Sequence, residues 1–238
     1  LAVNPDLQFS FQQSVDPIHR KLVSLLLEAY EQEEANKASG AGSANLDAAR
    51  QVLESLQQEE LNNYLRAACL DLEEVQIDQI AQAQSTAVIY PIILPDRLAT
   101  IVSYPGQTQV ATKGAEGKAI SATNEVLELY PINVPEGTVD ETLRQLRRDL
   151  TTRISLGFQR SAIQVYDWLI RPIEADLEAN GIDTLVFVLD GGLRNVPMAA
   201  LFDVVAEKFL IEIYSLALSP GLQLLAPKPL QDQTLSTL

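Results

Sequence analysis

Apolar residues recur at helical spacing through the first part of the chain. Residues 16–36 form one such stretch, and Asp16-Pro17 at its start is a favourable N-cap and first turn. The predicted apolar positions of this helix are Ile18, Leu22, Leu25, Leu26 and Tyr30. Two more helices are predicted over about 45–56 and 59–72. Helices joined by short polar turns are typical of a hairpin-type bundle.

The pattern changes at Thr86, where apolar and β-branched residues become frequent. Strands are predicted in TAVIYPIILP (86–95), LATIVSYPG (98–106) and EVLELYPINV (125–134), with a turn at Asp96-Arg97. A shorter strand is predicted in TQVAT and a loop in KGAEGK, both between 108 and 118. This succession predicts a hairpin or meander.

Helix and strand alternate in the remainder. One helix is predicted over about 138–154, with a capping box from Thr138 to Glu141, and a second over about 161–180 with Gly181 as its C-cap. TLVFVLD is a continuous apolar run, typical of a strand buried on both faces. A hairpin-like pair is predicted over 196–202 and 208–218.

Together these elements predict an α/β fold class, in which an N-terminal helical lobe is followed by a mixed sheet flanked by helices. The predicted division places the helical lobe in residues 1–80, as the end of a TPR-like helical array and linker, and the α/β domain in residues 81–238.

The net charge argues against some classes of partner, and the cysteine content indicates a cellular compartment. The 238 residues carry 32 acidic and 17 basic side chains, for a net charge of −15. This balance argues against nucleic acid and anionic membranes as partners, because both attract basic surfaces. Cys69 is the only cysteine, so no intramolecular disulfide can form, and we expect a reducing, cytoplasmic location. No cofactor and no metal site are predicted.

The most distinctive stretch is the Asp-Gly-Gly that ends the TLVFVLD run. A dinucleotide-binding loop needs Gly-x-Gly-x-x-Gly and a Walker A loop needs Gly-Lys-Ser/Thr, and neither is present. We therefore interpret it as a sharp corner in which glycine supplies positive φ, Asp190 accepts hydrogen bonds from nearby amides and Arg194 pairs with it. The predicted interface and architectural residues are Asp190, Gly191, Gly192, Arg194, Asn195 and Pro197.

His19 and Cys69 stand in the order and at about the spacing of a caspase-like dyad. Their surroundings argue against that chemistry. His19 falls in the first turn of an amphipathic helix, and Cys69 falls in a predicted helix interior with acidic residues downstream, which would raise its pKa. A buried cysteine on a helix is more often a small core residue.

Two long segments resemble the CHAT domain, a caspase-like domain attached to TPR repeats, notably in cyanobacteria. They are VYDWLIRPIEADLEANGIDTLVFVLDGGLRNVPMAALFD (165–203) and KFLIEIYSLALSPGLQLLAPKPL (208–230). AVIYPIILPDRLATIVSYPGQ, from residue 87, is similar to that family's early hairpin, and LNNYLRAACLDLEEVQIDQI, from residue 61, is similar to its joining helical segment. The resemblance covers about residues 59–230.

The resemblance implies kinship with clan CD cysteine peptidases, whose catalytic histidine and cysteine follow apolar strands downstream of a Pro-Gly-Leu-Gln-Leu-Leu segment. This sequence contains neither position, so no catalytic residue is transferred. Phe202-Asp203 also stands where the family tends to have His-Asp-Gly. The stretch 107–137 is longer and more polar than the family pattern. The missing initiator Met and the irregular start of the sequence lead us to expect a fragment of a longer protein, and a natural short relative without the peptidase half is the alternative.

The expected function is that of a non-catalytic scaffold or pseudo-peptidase portion, not an enzyme by itself. It would support a catalytic C-terminal half of the same parent chain and link it to helical repeats. Two alternatives remain open: an active CHAT-type cysteine peptidase that uses His19 and Cys69, or a small-molecule binding α/β module with its pocket near Asp190.

Overall fold

A computed structural model describes residues 16–35, 42–66, 85–106, 126–152 and 157–219. The helices are α1 (Asp16–Ala35), α2 (Gly42–Arg66), α3 (Glu136–Thr151), α4 (Phe158–Leu169), α5 (Glu174–Ala179) and α6 (Leu210–Ile213). The strands are β1 (Thr86–Ile93), β2 (Leu98–Tyr104), β3 (Val126–Ile132), β4 (Thr184–Phe187), β5 (Phe202–Asp203), β6 (Lys208–Phe209) and β7 (Ser215–Leu218). No helix in these ranges is long and apolar enough to cross a membrane.

Five strands form one mixed sheet in the order β3-β2-β1-β4-β7. β1, β2 and β3 are antiparallel neighbours, whereas β4 runs parallel to β1 and β7 runs parallel to β4. β1 is buried along its whole length, as its uninterrupted apolar run predicts for a central strand. The predicted α/β class, a mixed sheet flanked by helices, is confirmed.

Each face of the sheet carries its own apolar core because side chains alternate along a strand. On one face, α1 and α2 pack against the sheet through Val23, Leu27, Leu46 and Leu53, which meet Val88, Tyr90, Ile101 and Val186 among others. The opposite face of the sheet is covered by α3, α4 and α5. The largest buried side chains of this second core include Tyr104, Tyr166 and Phe187. The helical pair therefore shares a core with the sheet.

The predicted apolar face of α1 is wrong in part. Ile18, Leu22 and Leu25 are 69%, 44% and 50% exposed, whereas Val23 and Leu27 are fully buried. Apolar residues cover more than one side of this helix, so the sequence period alone does not select the side that meets the sheet.

Three predicted helix boundaries are corrected. The predicted helices 45–56 and 59–72 are one continuous helix, α2, as far as the description reaches. α3 begins at Glu136 with Pro135 as its N-cap, so the Thr138 capping box does not form. The predicted helix 161–180 is split at Pro172 into α4, a 3₁₀ turn and α5, since proline removes a backbone donor.

The hairpin predicted between residues 196–202 and 208–218 is mostly wrong. Only Phe202–Asp203 and Lys208–Phe209 form a hairpin, and Ser215–Leu218 instead joins the main sheet beside β4. The predicted TQVAT strand, the KGAEGK loop and the domain boundary near residue 80 lie outside the described residues. The division into 1–80 and 81–238 therefore stays a prediction.

Candidate functional site

The chain leaves the sheet at Asp190, just beyond β4. Val188 still donates to the Ile89 carbonyl of β1 at 2.9 Å, and two residues later Asp190 is 5% exposed. Its Oδ2 accepts the amide of Ile93, the last residue of β1, at 3.3 Å. The carboxylate thus takes a donor that a longer β4 would have bonded, and it brings the carboxyl ends of two parallel strands together. In α/β folds such strand ends are where sites usually form.

Arg20 of α1 forms a bidentate pair with Asp190. Its Nη1 donates to Oδ2 at 2.6 Å and its Nη2 donates to Oδ1 at 2.9 Å. Nη1 also donates to the Ile93 carbonyl at 3.1 Å, and Nε lies 2.9 Å from Asp16 Oδ1. Burial alone would lower the pKa of Arg20, but the bonds to Asp190 and Asp16 raise it above its ordinary value. The guanidinium therefore stays charged and fastens α1 to the ends of β1 and β4.

The carbonyl of Leu189, one residue earlier, receives two further side chains. Gln57 of α2 donates from Nε2 at 3.4 Å, and Arg194 donates from Nε at 2.9 Å. Gln57 is 6% exposed, so this contact lies inside the interface between α2 and the sheet. Both N-terminal helices thus place one polar side chain on the corner after β4.

The two glycines turn the chain for different reasons. Gly191 has φ +49°, a left-handed conformation that strains other residues, as expected from the sequence. Gly192 has no such φ, but a Cβ there would lie 3.3 Å from Leu143 Cδ1 of α3. A 3₁₀ turn, Gly191–Asn195, follows, and Leu193 donates to the Asp190 carbonyl at 3.1 Å.

Replacing Gly191 by alanine should destabilise the fold by about 1–2 kcal/mol, because the left-handed conformation disfavours a Cβ. The replacement meets only ordinary contact with Ile93 Cδ1 at 3.6 Å, so strain in the backbone is the main cause. Urea unfolding followed by circular dichroism measures the loss. Gly137→Ala is the matched control, since that glycine lies in the first turn of α3 with no atom near its Cβ position. Equal stability of Gly191→Ala and wild type would contradict the assigned conformation.

The residues that the sequence predicted for the interface differ in their exposure to solvent. Asp190 is buried, whereas Gly191, Arg194, Asn195 and Pro197 are exposed. The predicted pair of Arg194 with Asp190 is wrong: Asp190 pairs with Arg20, and Arg194 reaches the Leu189 carbonyl. Sequence reasoning missed Arg20 because its partner lies 170 residues away.

The His19 and Cys69 pair is not tested, because Cys69 lies outside the described residues. His19 lies in the first turn of α1, as predicted. The pocket predicted near Asp190 would use a carboxylate whose two oxygens are already engaged by Arg20 and the Ile93 amide. In the described ranges no three His, Cys, Asp or Glu side chains are grouped to hold a metal ion.

A second charged cluster joins β5 of the β5–β6 hairpin to the turn between α4 and α5. Arg171 donates to Asp203 Oδ1 at 2.6 Å and to Glu174 Oε2 at 2.7 Å, and its guanidinium lies 4.9 Å from the Tyr166 ring centre. Burial would raise the pKa of Asp203, but the bonds from Arg171 and from the Val205 and Ala206 amides together outweigh burial and lower the pKa. Phe202 and Phe209 pack edge to face across the hairpin. These contacts fix the segment that leads into β7.

The fold and the corner define a class: a mixed α/β domain with a helical hairpin fastened to the carboxyl edge of its sheet. Residues 159–237, about the last third of the chain, match the family model of the CHAT domain. This match supports the resemblance of that stretch to the CHAT domain. The curated proteins contain no match to this chain.

Proposed function

We propose that this chain is the non-catalytic supporting part of a CHAT-type, caspase-like protein. It binds a catalytic part along the edge of its sheet and helical repeats along α1, and it performs no chemistry itself. The open edge of β7 carries the proposal, and the exposed side of the corner and the outer face of α1 support it.

β7 is an edge strand with an exposed apolar surface. It pairs with β4 from Ser215 to Leu218, and none of the described strands pairs with its other side. Leu218 is 62% exposed, and Ile211 and Ile213 of the preceding α6 are 59% and 36% exposed. An open, apolar edge is a template for a further strand, because its amides and carbonyls need partners. A catalytic part that supplied one would extend the sheet beyond β7.

The exposed residues of the corner follow β4, the strand that pairs with β7. Ser219, next after β7, donates to the Phe187 carbonyl at the end of β4, so β7 ends beside the corner. Arg194, Asn195 and Pro197 are exposed there. A partner strand on β7 would lie near these side chains, which fits their predicted role at an interface.

The outer face of α1 suits a helical partner. Ile18, Leu22 and Leu25 lie on one stripe at helical spacing and are exposed. α1 and α2 already form a helix pair, and repeat proteins extend by stacking such pairs through apolar faces. Arg20 lies on the same helix, so a repeat bound at this stripe would be joined rigidly to the corner.

The decisive experiment alters the β7 edge without altering its pairing to β4. Ser215 and Ser219 donate toward β4, so the alternating amides of Leu216 and Leu218 point to the open side. Leu218→Pro removes one open-side donor and keeps the β4 ladder. We expect it to weaken binding to the catalytic part of the parent protein at least about tenfold, the effect of about 1.4 kcal/mol. Titration calorimetry measures the affinity, and circular dichroism verifies that the variant is folded.

Leu218→Ala is the matched control, because it removes the side chain and keeps the amide. Exchanging both Arg194 and Asn195 for alanine should also weaken the complex while the isolated chain stays folded. Wild-type affinity for Leu218→Pro would overturn strand addition at β7. Peptide hydrolysis by this chain alone, lost in Cys69→Ala, would replace the supporting role with the His19 and Cys69 peptidase.

A further inference from the structure

A cavity of about 780 Å³ lies between the C-terminal half of α3 and the start of α4. It opens to solvent, since Gly157 and Arg160 at its border are exposed. Most of the side chains that line it are polar or charged: Gln145 and Asp149 of α3, and Gln159, Arg160 and Ser161 of α4. None of these residues belongs to the corner after β4, so this cavity is distinct from the pocket that the sequence predicted near Asp190.

The N-terminus of α4 borders the cavity and has no capping side chain. Gly157 is its N-cap, and no residue of its first turn is acidic. The amides of a first helical turn have no acceptor within the helix. Because these amides carry a partial positive charge, an anion beside them is stabilised. The side chains around this terminus decide which anion the cavity can select.

Ser161 adds a buried hydroxyl that has no partner in the described part of the chain. The residue is 6% exposed and lines the cavity, and its hydroxyl forms no hydrogen bond with any described residue. A buried hydroxyl without a partner costs free energy, because it has lost its bonds to water. An oxygen of a ligand in the cavity would supply the missing partner.

Arg160 supplies a positive charge at the same place. Its side chain is exposed, and none of the described acidic residues forms a salt bridge with it. A second arginine, Arg148 of α3, lies beside the wall of the cavity, since its Nη2 donates to Gln145 Oε1 at 2.6 Å. The chain as a whole carries a net charge of −15, so an anion needs such a local concentration of positive charge. The guanidinium fork matches the oxygens of a phosphate.

Asp149 restricts the ligand to one that also donates hydrogen bonds. Its Oδ1 accepts from Gln145 Nε2 at 2.8 Å, and its other carboxylate oxygen receives no donor from the described residues. This carboxylate would repel a bare anion, whereas a hydroxyl group of the ligand would donate to it. The volume agrees with a ligand larger than phosphate, because cavities of about 300–1,000 Å³ hold small organic molecules.

We propose that this cavity, the α3–α4 cleft, binds a small phosphate monoester that carries hydroxyl groups. The phosphate lies at the start of α4, where Arg160 and the Ser161 hydroxyl donate to it, and a hydroxyl of the ligand donates to Asp149. The site is independent of the supporting role proposed above, because no residue of β7 or α1 lines the cleft.

Titration with glycerol 3-phosphate, followed through the amide resonances of the chain, tests the site. We expect saturable shifts of the Gln159 and Arg160 amides with a Kd below about 1 mM. Inorganic phosphate has no carbon chain that places a hydroxyl on Asp149, so it should bind at least about tenfold more weakly. Absence of saturable shifts at the start of α4 would overturn the proposal. Equal affinities for the two compounds would overturn the assignment of a monoester.

Variants of the two donors locate the phosphate. Arg160→Gln should weaken binding of glycerol 3-phosphate at least about tenfold, and Ser161→Ala about three- to tenfold. Arg147→Gln is the matched control, because it removes the same charge from an exposed position of α3 that does not line the cleft, and it should keep the affinity within about twofold. Circular dichroism verifies that each variant is folded. Equal losses in Arg160→Gln and Arg147→Gln would mean that the ligand responds to net charge alone, which contradicts a site in the cleft.

Discussion

The Asp190→Ala variant should lose about 1.5–3 kcal/mol of folding free energy, the range for hydrogen bonds to charged groups, because the Arg20–Asp190 pair is part-buried. The Arg20 side chain, 24% exposed, would remain charged with Asp16 and the Ile93 carbonyl as its partners. The Ile93 amide would lose its acceptor as well. Urea denaturation at neutral pH measures the loss.

A double-mutant cycle separates the interaction energy of the Arg20–Asp190 pair from any other destabilisation that the two substitutions cause. Arg20→Met and Asp190→Ala together should cost less than the sum of the two single changes, because neither leaves an unpaired charge once both are made. Glu141→Ala is the control, since its salt bridges with Arg144 and Arg148 lie on the surface and should contribute less than about 1 kcal/mol. Additive single effects in the cycle would mean that Arg20 and Asp190 act separately.

The same pair explains what the sequence could and could not predict about the site. Asp190-Gly191-Gly192 was recognisable because an apolar run ending in glycines marks a strand end. Arg20 was not, since nothing in the local pattern of α1 indicates which distant carboxylate it meets. The approach of α1 to the sheet is a property of tertiary packing, and this packing also decides that Val23 and Leu27 are buried while Leu22 and Leu25 are exposed.

The helices and strands show the same division between what the local sequence predicts and what tertiary packing decides. β1 was predictable because a central strand buried on both faces needs an uninterrupted apolar run. β7 was misassigned to a hairpin with 196–202, because its pairing to β4 depends on a parallel neighbour that is distant in sequence. Short local signals were predicted to within a residue: Gly181, predicted as a C-cap, has positive φ and directly follows the C-cap of α5, Asn180. The pairing and packing between elements were not predicted, because they depend on contacts between residues that are distant in sequence.

Whether the helical pair is a lobe of its own is decided by Leu27→Ala. Leu27 is fully buried in the core that α1 and α2 share with the sheet. Removing its side chain should cost about 2–5 kcal/mol, the usual range for a buried Leu→Ala change. Because α1 and α2 share this core with β1, β2 and β4, we expect this loss to destabilise β1 and β4 together with α1, in a single transition.

Hydrogen exchange and urea unfolding distinguish that outcome from an independent lobe. In a shared core, amides of β1 such as that of Ile89 lose protection in parallel with those of α1. Leu25→Ala is the matched control: it makes the same change on the same helix, but Leu25 is 50% exposed and should cost well under half as much. If Leu27→Ala lowered protection in α1 alone, the predicted separation of a helical lobe from the α/β domain would be correct.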